Sequence, residues 1–227
     1  MNHLARPFIV TAFTVILCSA PASASGPYPD RTDDGLERIE SKKADAVYWK
    51  EGADLGAYDR VRIDAVEVSF RKNWLRDQNR DRRSPSDRVS SDDMDDIRAA
   101  LAEAFREEFS KELEKGGYAV VDENGPDVLL LQPAIVDLDV TAPDMGGSQP
   151  GITRTYTASA GEMTLNLDLR DSASNALIGR AIDRREDHAG GGIQYSSRIT
   201  NRAEAERILR SWASILREAL DDAHAKN

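Results

Sequence analysis

Residues 163–170 read MTLNLDLR. Met163, Leu165, Leu167 and Leu169 alternate with Thr164, Asn166, Asp168 and Arg170, so an extended chain puts the large apolar side chains on one face and the polar ones on the other. A strand with one dry and one wet face suits an antiparallel sheet packed on a core from one side. Working outward, Tyr156–Arg170 is the cleanest strand of the chain. Asp171–Asn175 supplies turn residues, and Ala176–Asp183 is the returning strand. Upstream, Val128–Val140 reads as a long strand interrupted by Pro133, whose missing donor points to an edge or a bulge. Tyr118–Val121 is a short strand before the turn at Asn124-Gly125-Pro126. Between Tyr58 and Phe70 the alternation shifts register near Ala65-Val66, which predicts a strand with a bulge or with both faces partly covered.

Two helices complete the pattern. Met94, Ile97, Leu101, Phe105, Phe109 and Leu113 recur at three- and four-residue spacing after Ser90 and a run of aspartates, and Gly116-Gly117 ends the stretch. This helix is expected to dock on the face of Met163, Leu165, Leu167 and Leu169. The second helix runs from about Arg202 to Ala225, with Ile208, Leu209, Trp212, Ile215, Leu216 and Ala219 on one stripe. The expected order is β-α-β-β-β-β-α. It predicts an α+β domain with one mainly antiparallel sheet of about five strands and two long helices on one face.

Residues 1–24 combine Arg6, the apolar run Phe8–Leu17 and the small residues Ala22-Ser23-Ala24, the pattern of a secretory signal peptide cleaved after Ala24. A ten-residue apolar run is about half of the roughly 20 residues that span a bilayer. The expected organisation is a signal peptide at 1–24, a flexible linker at 25–47 and a single domain at 48–225, exported to the periplasm. The only cysteine, Cys18, lies in the leader. Lipidation there, giving an outer-membrane anchor, is the alternative, but Leu17 is large for the residue preceding a lipid-modified cysteine.

The chain carries −10; without Arg6 the exported part carries −11, an unfavourable balance for binding nucleic acid. Residues 71–90 depart from it, with seven Lys/Arg and three Asp. Arg71, Lys72, Trp74, Arg76, Arg80, Arg82 and Arg83 form a candidate basic surface for anionic headgroups or an acidic partner, with Trp74 as an interfacial anchor. The plainer reading is a solvated connection, because aspartates interrupt the run.

Classical catalytic or metal patterns are missing from the sequence. His188 follows Asp183, Glu186 and Asp187 in a glycine-rich stretch, without a second His or Cys near it, and reads as an exposed loop residue. His224 suits the end of a helix. Asp137 and Asp139 share a strand face and read as its wet side. Neither a phosphate-binding glycine loop nor a nucleophile elbow occurs. No cofactor is expected. Two chain reversals separate the loops Ala142–Arg154 and Asp187–Thr200, which places them at the same end of the sheet. Met145, Gln149, His188 and Tyr195 are the candidate partner contacts there.

Tyr48-Trp49, the stretch Tyr58–Val68 (YDRVRIDAVEV) and Ala134-Ile135-Val136-Asp137 are followed in order by Gly161-Glu162, Asp171-Ser172, Asp183-Arg184 and Trp212-Ala213. On these landmarks, residues 40–225 resemble a Gram-negative envelope family of predicted lipoproteins, known only as a domain of unknown function. The resemblance implies an envelope location and no catalytic residues. The element order is also similar to periplasmic accessory domains such as the amino-terminal domain of TolB and the curli secretion lipoprotein. The reading that follows is a non-enzymatic periplasmic or outer-membrane-associated interaction domain with an envelope protein partner, and with a membrane surface as a further candidate. The alternative is a small-ligand or lipid-binding domain using the space between sheet and helices; a hydrolase using His188 comes third.

Overall fold

The computed structural model describes residues 27–85, 88–140, 156–157, 159–188, 194–195 and 198–226. Its strands are β1 (Glu37–Ile39), β2 (Ala46–Trp49), β3 (Arg60–Ile63), β4 (Glu67–Phe70), β5 (Ala119–Val120), β6 (Val128–Val140), β7 (Tyr156–Thr157), β8 (Ser159–Asp171), β9 (Leu177–His188) and β10 (Gln194–Tyr195). Its α-helices are α1 (Trp74–Gln78), α2 (Ser91–Lys115) and α3 (Arg198–His224). Eight strands form one sheet in the order β1-β2-β9-β8-β6-β3-β5, and β4 pairs with β6 further along it. β7 and β10 form a separate ribbon.

The expected mainly antiparallel sheet of about five strands with two long helices is therefore corrected, among the described residues, to a mixed sheet of eight strands with three α-helices. Its antiparallel half is β6-β8-β9-β2-β1, and its parallel half is β3, β4 and β5. The cause is the long crossover through α2, which carries the chain back so that β5 and β6 run parallel to β3. Alternation gives a strand its faces but not its direction. β1 and β5 are three and two residues long, too short to show a period. β1 and the start of β2 lie within the stretch 25–47 that reads as a linker.

The register shift near Ala65-Val66 is a break between two strands. β3 ends opposite Leu131 and β4 begins opposite Ala134, so the break in pairing falls at Gln132-Pro133, where proline has no N–H to offer. β6 is an interior strand, and its bulge lies further on, between Val136 and Asp139, where Asp137 takes a φ of 52°.

The main core joins Phe105, Phe109 and Leu113 of α2, Leu209, Trp212 and Leu220 of α3, and Leu129, Leu131, Ile135, Leu165 and Leu167 of the sheet. Phe105 and Phe109 stack with centroids 3.9 Å apart and are fully buried. α2 packs against α3, β4 and β5, while α3 lies over β8; the helix expected on β8 thus sits beside the one that occupies it. Ser90 accepts the Asp93 N–H while the Asp93 carboxylate accepts the Ser90 N–H, a capping box that starts α2. Gly117, at a φ of 88°, follows its end. A second cluster, Leu36, Ala46 and Tyr48 with Ile182, ties the N-terminal hairpin to β9. A Cβ on Gly179 would lie 2.4 Å from the Trp49 ring on the neighbouring strand, so this pair needs glycine.

Candidate functional site

Strand register places the sites where chain leaves the sheet. Phe70 at the end of β4 pairs with Leu138. Val140 at the end of β6 pairs with Gly161, and Ser159 pairs with His188 at the end of β9. Beyond them Tyr156 pairs with Tyr195 and Thr157 with Gln194. The connections leaving β4, β6 and β9 therefore depart from one end of the sheet. The basic segment belongs to that end because β3 and β4 run parallel to β6. Met145 and Gln149 lie outside the described residues. His188 is the last residue of β9, and Tyr195 belongs to β10.

Within the basic segment, α1 folds back on the sheet end. Trp74 is 1% exposed, packs against Phe70 at 4.3 Å between centroids, and donates from Nε1 to the Val140 carbonyl at 2.9 Å. It is a core residue, which corrects its reading as an interfacial anchor: the charges around it conceal one apolar residue that faces inward. Val89, Met94, Ile97 and Leu75 complete this small core. Asn79 accepts from Val89 N–H and donates to its carbonyl, closing the segment onto itself.

The charges divide into two groups. Arg71 bridges Asp77 at 2.9 Å and Asp139, and the bond to Asp77 foremost, then Asp139, holds its guanidinium above the ordinary range. Asp77 also meets Arg76 at 3.0 Å and Arg80 at 3.1 Å, and its carboxyl is held below its usual range by Arg71 first and Arg76 next. One carboxylate thus faces three guanidiniums. Arg76 and Arg80 keep 68% of their side chains exposed, and Lys72, Arg83 and Arg88 are exposed as well. Arg82 turns inward, donating from Nε to the Gln78 carbonyl. Asp77 and Asp139 are the residues that sequence reasoning passed over, as an interruption and as a wet face; α1 brings Asp77 to Arg71, and Asp139 follows the bulge at Asp137 on β6.

The opposite end of the sheet is tied down. Ser172, 3% exposed, accepts the Gly125 N–H and donates to the Gly125 carbonyl, both at 3.0 Å. Tyr58 donates to Asp171 at 3.3 Å, and Arg60 makes a double bond pair with Asp127 at 2.8 and 2.6 Å. Tyr118 donates to Asp221 at 2.9 Å; burial, then this bond, pushes its hydroxyl up to about 12. His224, in the last turn of α3, lies 3.2 Å from Asp59 and 2.9 Å from the Leu220 carbonyl.

Buried carboxylates elsewhere also have structural partners. Asp183 accepts from Trp212 Nε1 at 2.7 Å, from the Asp45 N–H at 3.1 Å and from Arg185. Glu108 on α2 accepts from Arg210 on α3 at 2.7 Å, and this bond first of all holds its carboxyl below the usual range. Asp171-Ser172, Asp183 and Trp212, landmarks of the family resemblance, are thus parts of the scaffold.

Among the described residues, side chains of the sheet and of the long helices meet in one apolar cluster. A hollow of about 490 Å³ lies elsewhere, lined by Asp64, Gln132, Ala134, Asn166, Asp168 and Arg180 among others. Arg180 grips Asp168 with two hydrogen bonds and reaches Asp34 at 2.8 Å, so its charge is already neutralised. Among the described residues no group of three or more His, Cys, Asp or Glu could hold a metal ion, and no helix is long and apolar enough to cross a membrane.

Among solved structures the chain is similar to the PelC dodecamer from Paraburkholderia phytofirmans, with 11% identity over 74% of this chain and 96% of that one and a TM-score of 0.38. It is similar to protein XCC0632 from Xanthomonas campestris, of family DUF330, with 13% identity over 74% and 84% and a TM-score of 0.36. A putative neuraminyllactose-binding hemagglutinin homolog from Helicobacter pylori has 13% identity over 83% and 91% and a TM-score of 0.33. No curated protein matches the chain. Residues 25–216 match the family model described as "Protein of unknown function (DUF3313)", a span that contains every landmark residue from Tyr48 to Ala213, and the chain belongs to that family.

Proposed function

We propose that this chain is an exported cell-envelope protein, a non-enzymatic periplasmic or outer-membrane-associated domain that works by contact with a partner. The leader pattern at residues 1–24 supports export. One observation carries the contact reading: three connections, including the only strongly basic segment, depart from one end of a rigid mixed sheet. Loops held on a rigid scaffold are where recognition residues concentrate. The structural pairing of Asp183, Glu108 and Asp168 supports the same reading, since these buried or half-buried carboxylates hold strands and helices together.

The test is site-specific photocrosslinking in intact cells. A crosslinker at Met145, Gln149 or Tyr195 is expected to capture a discrete envelope protein, while one at Glu123, at the opposite end, is not. Equal capture from both ends, or none from the loop end, overturns the reading.

A further inference from the structure

We propose that the basic segment docks the loop end of this domain onto an anionic phospholipid bilayer, a step that rests on the envelope reading above and names the surface met there. Charge distribution comes first. Residues 71–90 carry a net +4 and leave the rest of the exported chain at −15. An acidic body is repelled by an anionic surface, and the basic segment, which Asp92, Asp93, Asp95 and Asp96 follow at the start of α2, is the part that is attracted, so the protein approaches through α1 and its flanks.

The structure also discriminates among anionic partners. The cations that α1 and its flanks expose are Lys72, Arg76, Arg80, Arg83 and Arg88. They are spread along 17 residues on long side chains. Asp77 offers them one carboxylate, already shared with Arg71. The segment's large aromatic residue, Trp74, is buried beneath them, and Leu75 is half-buried. A stable protein interface is normally built around an apolar or aromatic anchor that enters a pocket. Among the described residues the exposed large hydrophobic side chain is Ile39, on β1 at the far edge of the sheet. Diffuse cationic charge without an anchor suits a smeared array of phosphates, which asks only for charge within a Debye length. Burial of Trp74 also specifies the mode: the contact is electrostatic and does not involve insertion.

The experiment uses the purified exported protein and vesicle co-sedimentation. Vesicles of phosphatidylcholine with about a quarter phosphatidylglycerol are expected to bind it at about 50 mM salt and to release it at about 500 mM, where charges are screened within a few ångströms. Pure phosphatidylcholine vesicles are expected not to bind it. The triple variant R76E/R80E/R83E is expected to bind at least about tenfold more weakly. A control with the same change in net charge, K42E/K50E/K226E, reverses exposed lysines outside the segment and is expected to bind nearly as the parent does. Should the triple reversal fail to fold by circular dichroism, R76Q/R80Q/R83Q set against K42Q/K50Q/K226Q carries the same comparison. Absence of binding to anionic vesicles at low salt overturns the proposal, as does equal weakening by the two triple variants. If vesicle binding is absent while the reversal abolishes the photocrosslinks from Met145 or Tyr195, the segment meets an acidic protein instead; docking on lipid is then overturned and the contact reading stands. If vesicle binding is present and no photocrosslink forms, docking stands and the protein-partner reading fails.

Discussion

The two ends of the sheet treat their polar side chains in opposite ways. At the end near Ser172, hydroxyls and carboxylates are matched to partners on other elements: Ser172 to Gly125, Tyr58 to Asp171, Arg60 to Asp127, Tyr118 to Asp221. At the end near Val140, Asp77 serves Arg71, Arg76 and Arg80, Asp139 takes a second bond from Arg71, and Lys72, Arg83 and Arg88 stand exposed, as do Asp81, Asp92, Asp95 and Asp96. Matched polar groups hold connections in place, whereas a surplus of one charge is available to something outside the chain. On the proposed reading, the closed end serves the fold and the open end serves contact.

The strongest way to break this contrast is to remove what both ends share. Phe105 is fully buried in the core under both. Phe105→Ala is expected to cost about 3–5 kcal/mol, read as a lower denaturant midpoint. A midpoint within experimental error of the parent would place Phe105 outside the core.

A sharper probe addresses the closed end alone. Ser172→Ala leaves the Gly125 N–H and carbonyl without their partner at a buried site, with an expected loss of about 1–3 kcal/mol. Denaturant unfolding followed by tryptophan fluorescence measures it. A loss comparable with that of a surface substitution would show that this end is not tied by Ser172.

The helix seam adds a pH dependence. Glu108 is buried on α2, and Arg210 of α3 foremost holds its carboxyl below the usual range. A carboxyl depressed on folding contributes stability that is fully present above its unfolded-state value, about 4.3. That contribution is lost as pH falls through the folded value. Thermal melts between about pH 6 and pH 3 should therefore show acid destabilisation that is shallower in Glu108→Gln. Parallel curves for the two proteins would remove Glu108 from the acid response.

The smallest effect belongs to the open end. Arg76→Ala and Arg80→Ala remove exposed side chains that share one carboxylate. Each should change stability by no more than about 0.5 kcal/mol. A loss as large as that of Ser172→Ala would mean that these arginines hold the fold, and the contrast between the ends would fail.

Much of the local structure was legible in the residues. The MTLNLDLR alternation places Met163, Leu165, Leu167 and Leu169 in the core, Ser90 caps α2, and the register shift near Ala65 marks the place, though not the kind, of the break between β3 and β4. These are nearest-neighbour properties: a period, a cap and a shift of register are written over a few consecutive positions. The candidate site was legible only in part. Two reversals of direction placed the ends of β6 and β9 together, and the register agrees, yet the basic segment could join them only once β3 was known to run parallel to β6. Trp74 was misread because a lone aromatic among charges has no period to declare which way it faces.

The sequence by itself determined the longer strands and the two long helices, which faces of them are apolar, and where the charge of the chain is concentrated; β1 and α1 were not among them. Tertiary structure alone decided the direction of the strands, the joining of short segments such as β1 and β5 to the sheet, the burial of Trp74 and the pairing of Arg71 with Asp139 across 68 residues. The physical reason is range. Periodicity records how each residue meets the solvent or the core, but strand direction and ion pairing depend on which distant segment arrives alongside. Here that is settled by the α2 crossover and by the bulge at Asp137.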